Sequence, residues 1–405
     1  MIDTVRQFRD FFVSLKLTVV LLVFGLVLIF AATLDQVNLG IWAVQEKYFR
    51  SFFVMWRAGD VPIPVYPGGY LIGGVLLINL LSAHIYRFKR GWRKLGIELT
   101  HLGLILLLVG ELLSGLWQED YNMRLVQGET KNYSESQFDF ELALIDTTDP
   151  KFDDVVVIPA ELLAKGNPLQ HPKLPFRVVP KTYFQNSTLS SRTSRGTSGN
   201  AAATELPSPA TTGVGLNLTA MPLPMTYKMD ERNLPAAFVE LVAAERSLGT
   251  FLVAPHGKRD APYEPFIAPQ QFEYGGHTWT IGLRSARAYK PFTLTLLKFS
   301  HDRYAGTEIP KNFSSRIRLT TPDGKDDREV LIYMNNPLRY AGLTFYQASF
   351  EPDNPNVTIL QVVRNPSWLI PYIACGLMTF GLLWQFGIHL FAFVGKRRAP
   401  RPSLA

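Results

Sequence analysis

Cysteine is almost missing from this sequence of 405 residues, since Cys375 is the only one. A single thiol excludes a disulfide framework, a dithiol redox pair and the Cys-x-x-Cys-His motif of covalent cofactor attachment. The sequence also has no Gly-x-Ser-x-Gly, His-Glu-x-x-His, P-loop or dinucleotide-binding motif. Nothing in the residues therefore indicates a hydrolase, a metalloprotease or a nucleotide-dependent enzyme, and we do not expect this chain to be an enzyme on its own.

Charge is missing from long stretches of the chain. Residues 17–34, 61–86 and 367–392 contain no Asp, Glu, Lys or Arg, and residues 95–117 are interrupted only by Glu98, His101 and Glu111. A helix needs about 20 mostly apolar residues to cross a bilayer. We therefore predict transmembrane helices at about 15–34, 66–86, 95–117 and 366–392.

The residues between the third and fourth apolar stretches, 118–365, show the pattern of β-strands. Phe138 to Asp146 alternates apolar and polar side chains, and turn residues such as Gly275-Gly276 and Asn335-Asn336-Pro337 separate similar runs. The predicted fold class is thus an integral membrane protein with a four-helix (3+1) transmembrane bundle and a large all-β antiparallel domain, either a sandwich or an open barrel. Within it we predict a mobile insert at about 186–235 and a helix at 236–247, while the sequence does not indicate the role of residues 151–260.

Positive charge is concentrated on one side of the predicted bundle. It flanks the first stretch, fills the connection between the second and third, and follows the fourth in a basic tail at 393–405. By the positive-inside rule, this side and both termini are cytoplasmic, and the β domain is periplasmic in a bacterial inner membrane. This topology accounts for the net charge of +7 without nucleic-acid binding. The first stretch could instead serve as a cleaved signal peptide.

Three histidines lie inside the apolar stretches: His84, His101 and His389. Ionisable residues within a membrane are costly and usually functional, and a neutral imidazole is a good axial ligand for haem iron. No stretch contains two histidines about four turns apart, so this chain would offer one axial ligand and a partner would offer the other. We take His101 as the candidate, because His84 and His389 lie closer to basic residues and could simply reach the headgroups.

Four further histidines lie in the predicted β domain: His171, His256, His277 and His301. None of them shows the i,i+2 or i,i+4 spacing of a metal site. We interpret each as an isolated surface or turn residue.

Several segments together resemble the ResB (CcsB) family of cytochrome c biogenesis proteins. These segments are Phe12 to Leu17, Gly96 to Gly103, Met123 to Glu129, Tyr333 to Ser349 and Val362 to Pro366. The segment Tyr333 to Ser349 carries the strongest likeness. The first outer loop departs from the family pattern at Thr33-Leu34-Asp35-Gln36.

The resemblance implies a subunit of the system II pathway, which acts with a CcsA-type partner. Together they would carry haem b outward, as transported cargo, and deliver it to apocytochrome c, with His101 as the transmembrane haem ligand. Two alternatives remain open: a membrane-anchored scaffold that docks apocytochrome without ligating haem, and an autonomous membrane oxidoreductase. The expected partners are a CcsA-type protein, apocytochrome c and the lipid bilayer, with no nucleic acid.

Overall fold

The computed structural model describes residues 2–58, 61–87, 91–194, 204–226, 232–255, 267–303, 306, 310–351 and 354–398. The α-helices are α1 (Ile2–Phe12), α2 (Leu15–Val44), α3 (Gly69–Arg87), α4 (Leu95–Trp117), α5 (Ala160–Ala164) and α6 (Ile370–Arg398). The first strands are β1 (Phe53–Ala58), β2 (Val61–Pro67), β3 (Glu119–Val126), β4 (Thr130–Asp146), β5 (Asp154–Pro159), β6 (Arg177–Phe184), β7 (Ser187–Ser191), β8 (Thr193–Ser194), β9 (Thr204–Glu205) and β10 (Leu218–Pro222). The later strands are β11 (Ala236–Ala243), β12 (Arg246–Val253), β13 (Gln270–Tyr274), β14 (His277–Arg303), β15 (Pro310–Thr320), β16 (Asp327–Tyr333), β17 (Leu338–Tyr340), β18 (Leu343–Glu351) and β19 (Asn354–Arg364).

Among the described residues, four helices are long and apolar enough to cross a membrane, over Leu15–Ile41, Gly69–Arg87, Leu95–Trp117 and Ile370–Gly395. They belong to a helical unit built from the residues before 120 and after 364, and residues 120–364 form a separate β unit. The four helices and the large antiparallel β unit confirm the predicted fold class. The first spanning helix continues past the predicted end at 34 to Ile41. Asp35, within this extension, accepts hydrogen bonds from Lys47 and Tyr48 at 2.6 and 3.0 Å.

Asn79 of α3 binds backbone carbonyls at the break between α1 and α2. The amide of Asn79 donates to the carbonyl oxygens of Phe12 (2.6 Å) and Ser14 (3.1 Å), and its own oxygen accepts from Thr18 at 2.6 Å. Asn79 is only 1% exposed. Unsatisfied backbone groups are costly in an apolar medium, so this one side chain stabilises the entry into α2.

We predict that Asn79→Leu lowers the stability of the helical unit by about 1–3 kcal/mol, because it leaves two carbonyls and one hydroxyl without their amide partner. The measurement is thermal unfolding of the full-length protein in nanodiscs. Thr33→Val is the matched control, since Thr33 bonds only the carbonyl of Ile29 within its own helix. Equal melting temperatures for the two variants would contradict the role of Asn79.

The largest sheet of the β unit is antiparallel and has the strand order β16-β15-β14-β4-β3-β19-β18-β17, with β13 paired to β14 and β5 paired to β4. Its two end strands, β16 and β17, are joined by a tight turn at Asn335, whose φ is 64°, and a bridge pairs Tyr333 with Asn336. The sheet therefore curls back on itself into a nearly closed barrel.

Two hydrophobic cores share the long strand β14. One core fills the barrel and includes Phe292, Leu294 and Leu296 of β14. The other lies between the β5-β4-β14-β13 part of the large sheet and a second sheet of order β12-β11-β6. The β unit thus combines a sandwich and a barrel, the two architectures that alternating sequence patterns left open.

The prediction of a helix at 236–247 is wrong. This segment contains strand β11 and the start of β12, paired from Ala237↔Val253 to Ala243↔Arg246. Ala244 and Glu245 form the turn with φ of 43° and 63°. Because both faces of β11 are covered, its apolar residues run almost without interruption, and the alternation that marks a half-exposed strand is lost.

The predicted mobile insert, about 186–235, carries β7 to β10 and contributes Ala210 and Ala220 to a small core beside Phe238. Its mobility stays a prediction. Residues 195–203 and 227–231 of the insert, His256 and residues 399–405 of the basic tail lie outside the described residues.

Candidate functional site

Helices α4 and α6 form a close antiparallel pair. Gly96, Gly103 and Gly110 recur every seven residues of α4 and all face α6. A Cβ on Gly96 would lie 2.5 Å from the carbonyl oxygen of Gly381, and one on Gly103 would lie 2.8 Å from that of Ala374. Small residues allow such backbone approach between membrane helices. This glycine seam therefore fixes which face of α4 is covered by α6.

We predict that Gly103→Val separates α4 from α6 and strongly lowers the yield of folded full-length protein, because the new side chain overlaps the backbone of α6. Gly376→Val is the matched control, since no atom lies within 4 Å of the added Cβ at Gly376 of α6. Monodisperse protein after detergent extraction is the measurement. Equal yields of the two variants would contradict the close packing.

His101 lies on α4, away from this seam. It follows Gly96 by five residues, which is a rotation of about 140° around the helix axis. Its Nδ1 lies 2.8 Å from the carbonyl oxygen of Ile97. Since a carbonyl only accepts, Nδ1 carries the proton, and in the neutral ring Nε2 carries the lone pair that an iron would use.

Glu98, one turn before His101, is a polar residue whose importance the sequence did not indicate. Its Oε1 is buried and has no hydrogen-bond partner among the described residues. Polar groups buried in this way are expected to interact with something, so Glu98 joins His101 as a candidate contact on the side of α4 away from the seam.

His389 lies at a different depth from His101. Gly96 faces Gln385 in the antiparallel pair, so His101 is five residues to one side of that level and His389 is four residues to the other. At 1.5 Å per residue the two are about 13 Å apart along the helices, too far to ligate one iron. In addition, the Nε2 of His389 accepts from the Gln385 amide at 2.9 Å.

His84 lies in the last turn of α3. Within the part of the chain that the structure describes, no group of three or more His, Cys, Asp and Glu side chains could hold a metal ion. Each transmembrane histidine is therefore a single potential ligand. The assignment of His101, His84 and His389 to haem stays a prediction.

The segment Tyr333 to Ser349 owes part of its pattern to packing. Gln347 accepts from the buried Ser315 hydroxyl at 2.6 Å and donates to the buried Thr358 hydroxyl at 2.9 Å. The hydroxyl oxygens of Ser315 and Thr358 lie 2.8 Å apart. The pairing of β18 with β19 is irregular between Gln347 and Ser349. Gln347 thus ties three strands of the barrel together, which supports a structural role for this segment.

Lys290 is a second polar group inside the β unit. It is 8% exposed, and its Nζ donates to the Ser134 hydroxyl at 2.6 Å and to the carbonyl of Ala288 at 2.9 Å. Burial disfavours the charged amine and lowers the pKa of Lys290 to about 8. At neutral pH, burial of the charged ammonium of Lys290 therefore lowers the stability of the fold.

We predict that stability rises between pH 8 and 10.5, because the unfolded chain then binds more protons at residue 290 than the folded chain does. A difference of about 2.5 pKa units corresponds to about 3 kcal/mol. Lys290→Met should remove this rise while keeping the side-chain volume. The measurement is the melting temperature of both full-length proteins across that range. If the melting temperatures of the parent and of Lys290→Met change with pH in the same way, the lowered pKa of Lys290 is contradicted.

A cavity of about 480 Å³ opens at one end of the sandwich. Its lining comes from β4, β5, β13, β14 and the segment 172–175. At its edge His277 and Asp146 are joined by a hydrogen bond of 2.7 Å between Nδ1 and Oδ2. Sequence reasoning treated His277 as an isolated surface histidine. No sequence signal could have found the pair, because 131 residues separate its members.

Comparison with known proteins agrees with the family resemblance over part of the chain. The model of the ResB-like family matches residues 272–359, from β13 to β19. Protein NrfI of Wolinella succinogenes is 37% identical over 95 residues, which are 24% of this chain and 10% of that relative. The match thus spans about a tenth of the relative's own length. These findings confirm the predicted resemblance over part of the chain.

Proposed function

We propose, from the match of residues 272–359 to the ResB-like family, that this protein is a membrane subunit of a cytochrome c biogenesis complex. It helps to carry haem b across the membrane and, with a CcsA-type partner, delivers it to apocytochrome c. Haem is cargo here rather than a resident redox group. The chain is an assembly component, and it does not complete haem attachment alone.

The observation that carries the haem-ligand part of the proposal is the position of His101 on a membrane-spanning helix. An imidazole in such a helix is costly unless it has a function. The Ile97 carbonyl holds the ring in the tautomer that places the lone pair on Nε2, the usual arrangement of an axial ligand. The glycine seam keeps α6 on the other side of α4. These features favour His101 as one axial ligand, with His84 and His389 as weaker candidates.

The chemistry of haem iron favours a second axial ligand from a partner protein. Haem iron takes two axial ligands in a closed site, and this chain supplies single histidines at separate depths. The helices also leave large apolar side chains uncovered within this chain, including Phe386 and Phe391 of α6 at 71% and 79% exposure. A CcsA-type membrane protein would contribute the second ligand and cover part of this surface.

The basic segments support an orientation for this protein. In this orientation the N-terminal segment, the α3–α4 connection and the region after α6 lie at the cytoplasmic face of a bacterial inner membrane, and the β unit lies in the periplasm. Haem would then enter near the cytoplasmic ends of the helices and leave on the side of the β unit.

The test compares His101→Ala with His389→Ala in the full-length protein purified together with its partner. We expect His101→Ala to lose most of the haem, measured as the pyridine haemochrome, together with cytochrome c maturation. His389→Ala should keep both, because Gln385 already occupies its Nε2. Restoration of the haem spectrum by free imidazole in His101→Gly would identify ligation rather than folding as the cause.

The second candidate function is a scaffold that docks apocytochrome through the β unit. The cavity beside His277 favours it, because this cavity lies in the β unit and not at the transmembrane histidines. In this case His101→Ala leaves haem content and maturation intact, whereas removal of residues 120–364 abolishes maturation. That pair of results would reject haem ligation by His101.

A further inference from the structure

The β1–β2 hairpin is a separate two-stranded sheet of the helical unit, and its apolar side chains remain exposed. Met55 and Trp56 of β1 are 41% and 61% exposed, and Val61, Ile63 and Val65 of β2 are 62%, 40% and 55% exposed. Neighbouring residues of a strand point to opposite faces, so the described residues leave apolar surface open on both faces of the hairpin. Apolar surface that is exposed in one continuous patch marks contact with another molecule or with a membrane.

The base of the hairpin is fixed beside two membrane-spanning helices. Val54 of β1 is 4% exposed and packs with Leu28 of α2 and Ile72 of α3. Its partner in the sheet, Tyr66, donates its hydroxyl to the carbonyl oxygen of Phe24 in α2 at 3.2 Å. The position of the hairpin relative to α2 and α3 is therefore defined by contacts within the helical unit.

The chain passes from β2 into α3 without a flexible connection. The backbone N–H of Gly68 donates to the carbonyl of Phe52 at 2.8 Å, and that of Tyr70 donates to the carbonyl of Ser51 at 3.2 Å. A Cβ on Gly68 would overlap the carbonyl oxygen of Ser51, so this approach needs glycine. The depth of the hairpin in a membrane consequently follows from the depth of α3.

Helix α3 is short for a membrane-spanning helix. Its 19 residues, Gly69–Arg87, cover about 28 Å at 1.5 Å per residue, slightly less than the hydrocarbon core of about 30 Å. Arg87 belongs to the end that carries the basic connection. Gly69 therefore lies near the opposite boundary of the hydrocarbon core, and the base of the hairpin lies there with it.

Helix α2 continues beyond this boundary. A Cβ on Gly25 would lie 4.0 Å from Ile72, which aligns the two consecutive, antiparallel helices and sets Gly69 level with residue 28. Asp35, the first charged residue after the apolar run of α2, lies seven residues further, about 10 Å along the axis. The hairpin thus begins at the inner edge of a layer whose depth is comparable with the headgroup region of one leaflet.

Prolines at alternate positions remove backbone donors from one edge of the hairpin. Pro62 and Pro64 flank Ile63, which pairs with Trp56. In an antiparallel pair, successive residues direct their N–H groups toward and away from the neighbouring strand, and proline fits the positions whose N–H would point away. This edge is therefore a poor template for a further strand, and it leaves fewer unpaired donors where water is scarce.

The charge pattern and the exposure of both faces favour lipid as the neighbour of the hairpin. Between residues 53 and 67 the only charged residues are Arg57 and Asp60, next to the connection between the strands. Trp and Tyr, present here as Trp56 and Tyr66, are enriched at membrane interfaces. A folded partner would cover one face of a hairpin, whereas lipid can surround it. The surface is also continuous with that of α2, where Phe24 is 39% exposed.

We propose that the β1–β2 hairpin inserts into the headgroup region of the bilayer at the Gly69 end of α3, where its exposed apolar side chains contact lipid acyl chains. The chain is then held in the membrane by a non-spanning element in addition to its four helices. This element sets the depth of α3, to which it is joined directly. The inference goes beyond the proposed function and does not depend on haem ligation.

The test measures the surroundings of single spin labels on the full-length protein in nanodiscs that hold one copy each. The label is attached at Ile63→Cys or, as a second variant, at Val65→Cys, in a Cys375→Ala background. We expect relaxation by oxygen, which concentrates in lipid, to exceed relaxation by a water-soluble nickel complex. Leu26→Cys in α2, 70% exposed, is the reference for lipid, and Val157→Cys in β5, 44% exposed, is the reference for water.

Labels at residues 63 and 65 that behave like the label at Leu26 support the proposal. Access of the nickel complex equal to that at Val157 would place the hairpin in water and overturn it. Protection from both reagents would show that protein covers the hairpin, which also overturns it. Both labelled side chains are exposed, and monodisperse elution checks that each variant is folded. None of these results bears on haem content with His101→Ala, so the proposed function is judged separately.

Discussion

Backbone contact between α4 and α6 requires three glycines on one stripe of α4, and it links two segments that lie about 250 residues apart in the chain. At one end of the pair, the Ser114 hydroxyl lies 3.0 Å from that of Ser367, and Asn365 donates to Gln118 at 3.1 Å. The residues that lead into β3 and those that follow β19 are therefore held together within the helical unit. The same contact turns His101 away from α6 and sets His389 at another depth, so the arrangement of possible ligands follows from the packing of two backbones.

The sequence predicted the elements better than it predicted their pairing. Uncharged runs identified the four long helices, because a membrane-spanning helix must be apolar along its whole length. Alternation identified the strands with one covered face, but it failed at β11, which is covered on both. The spacing of Gly96, Gly103 and Gly110 is visible in the sequence, whereas Ala374 and Gly381 as the facing residues are not. The pair of Asp146 and His277 could not be predicted for the same reason, because it depends on the register between β4 and β14.

The long strand β14 carries irregular pairing with β4 between Ser285 and Arg287 and again between Tyr289 and Leu294. These irregularities separate the part of β14 that faces the sandwich core from the part that faces the barrel core. A one-residue shift in a regular strand exchanges its two faces over its whole length. In β14, the irregular pairing with β4 between the two cores can accommodate such a shift. Over evolutionary time, insertions and deletions could therefore remodel the sandwich half and its cavity while the barrel half kept its register.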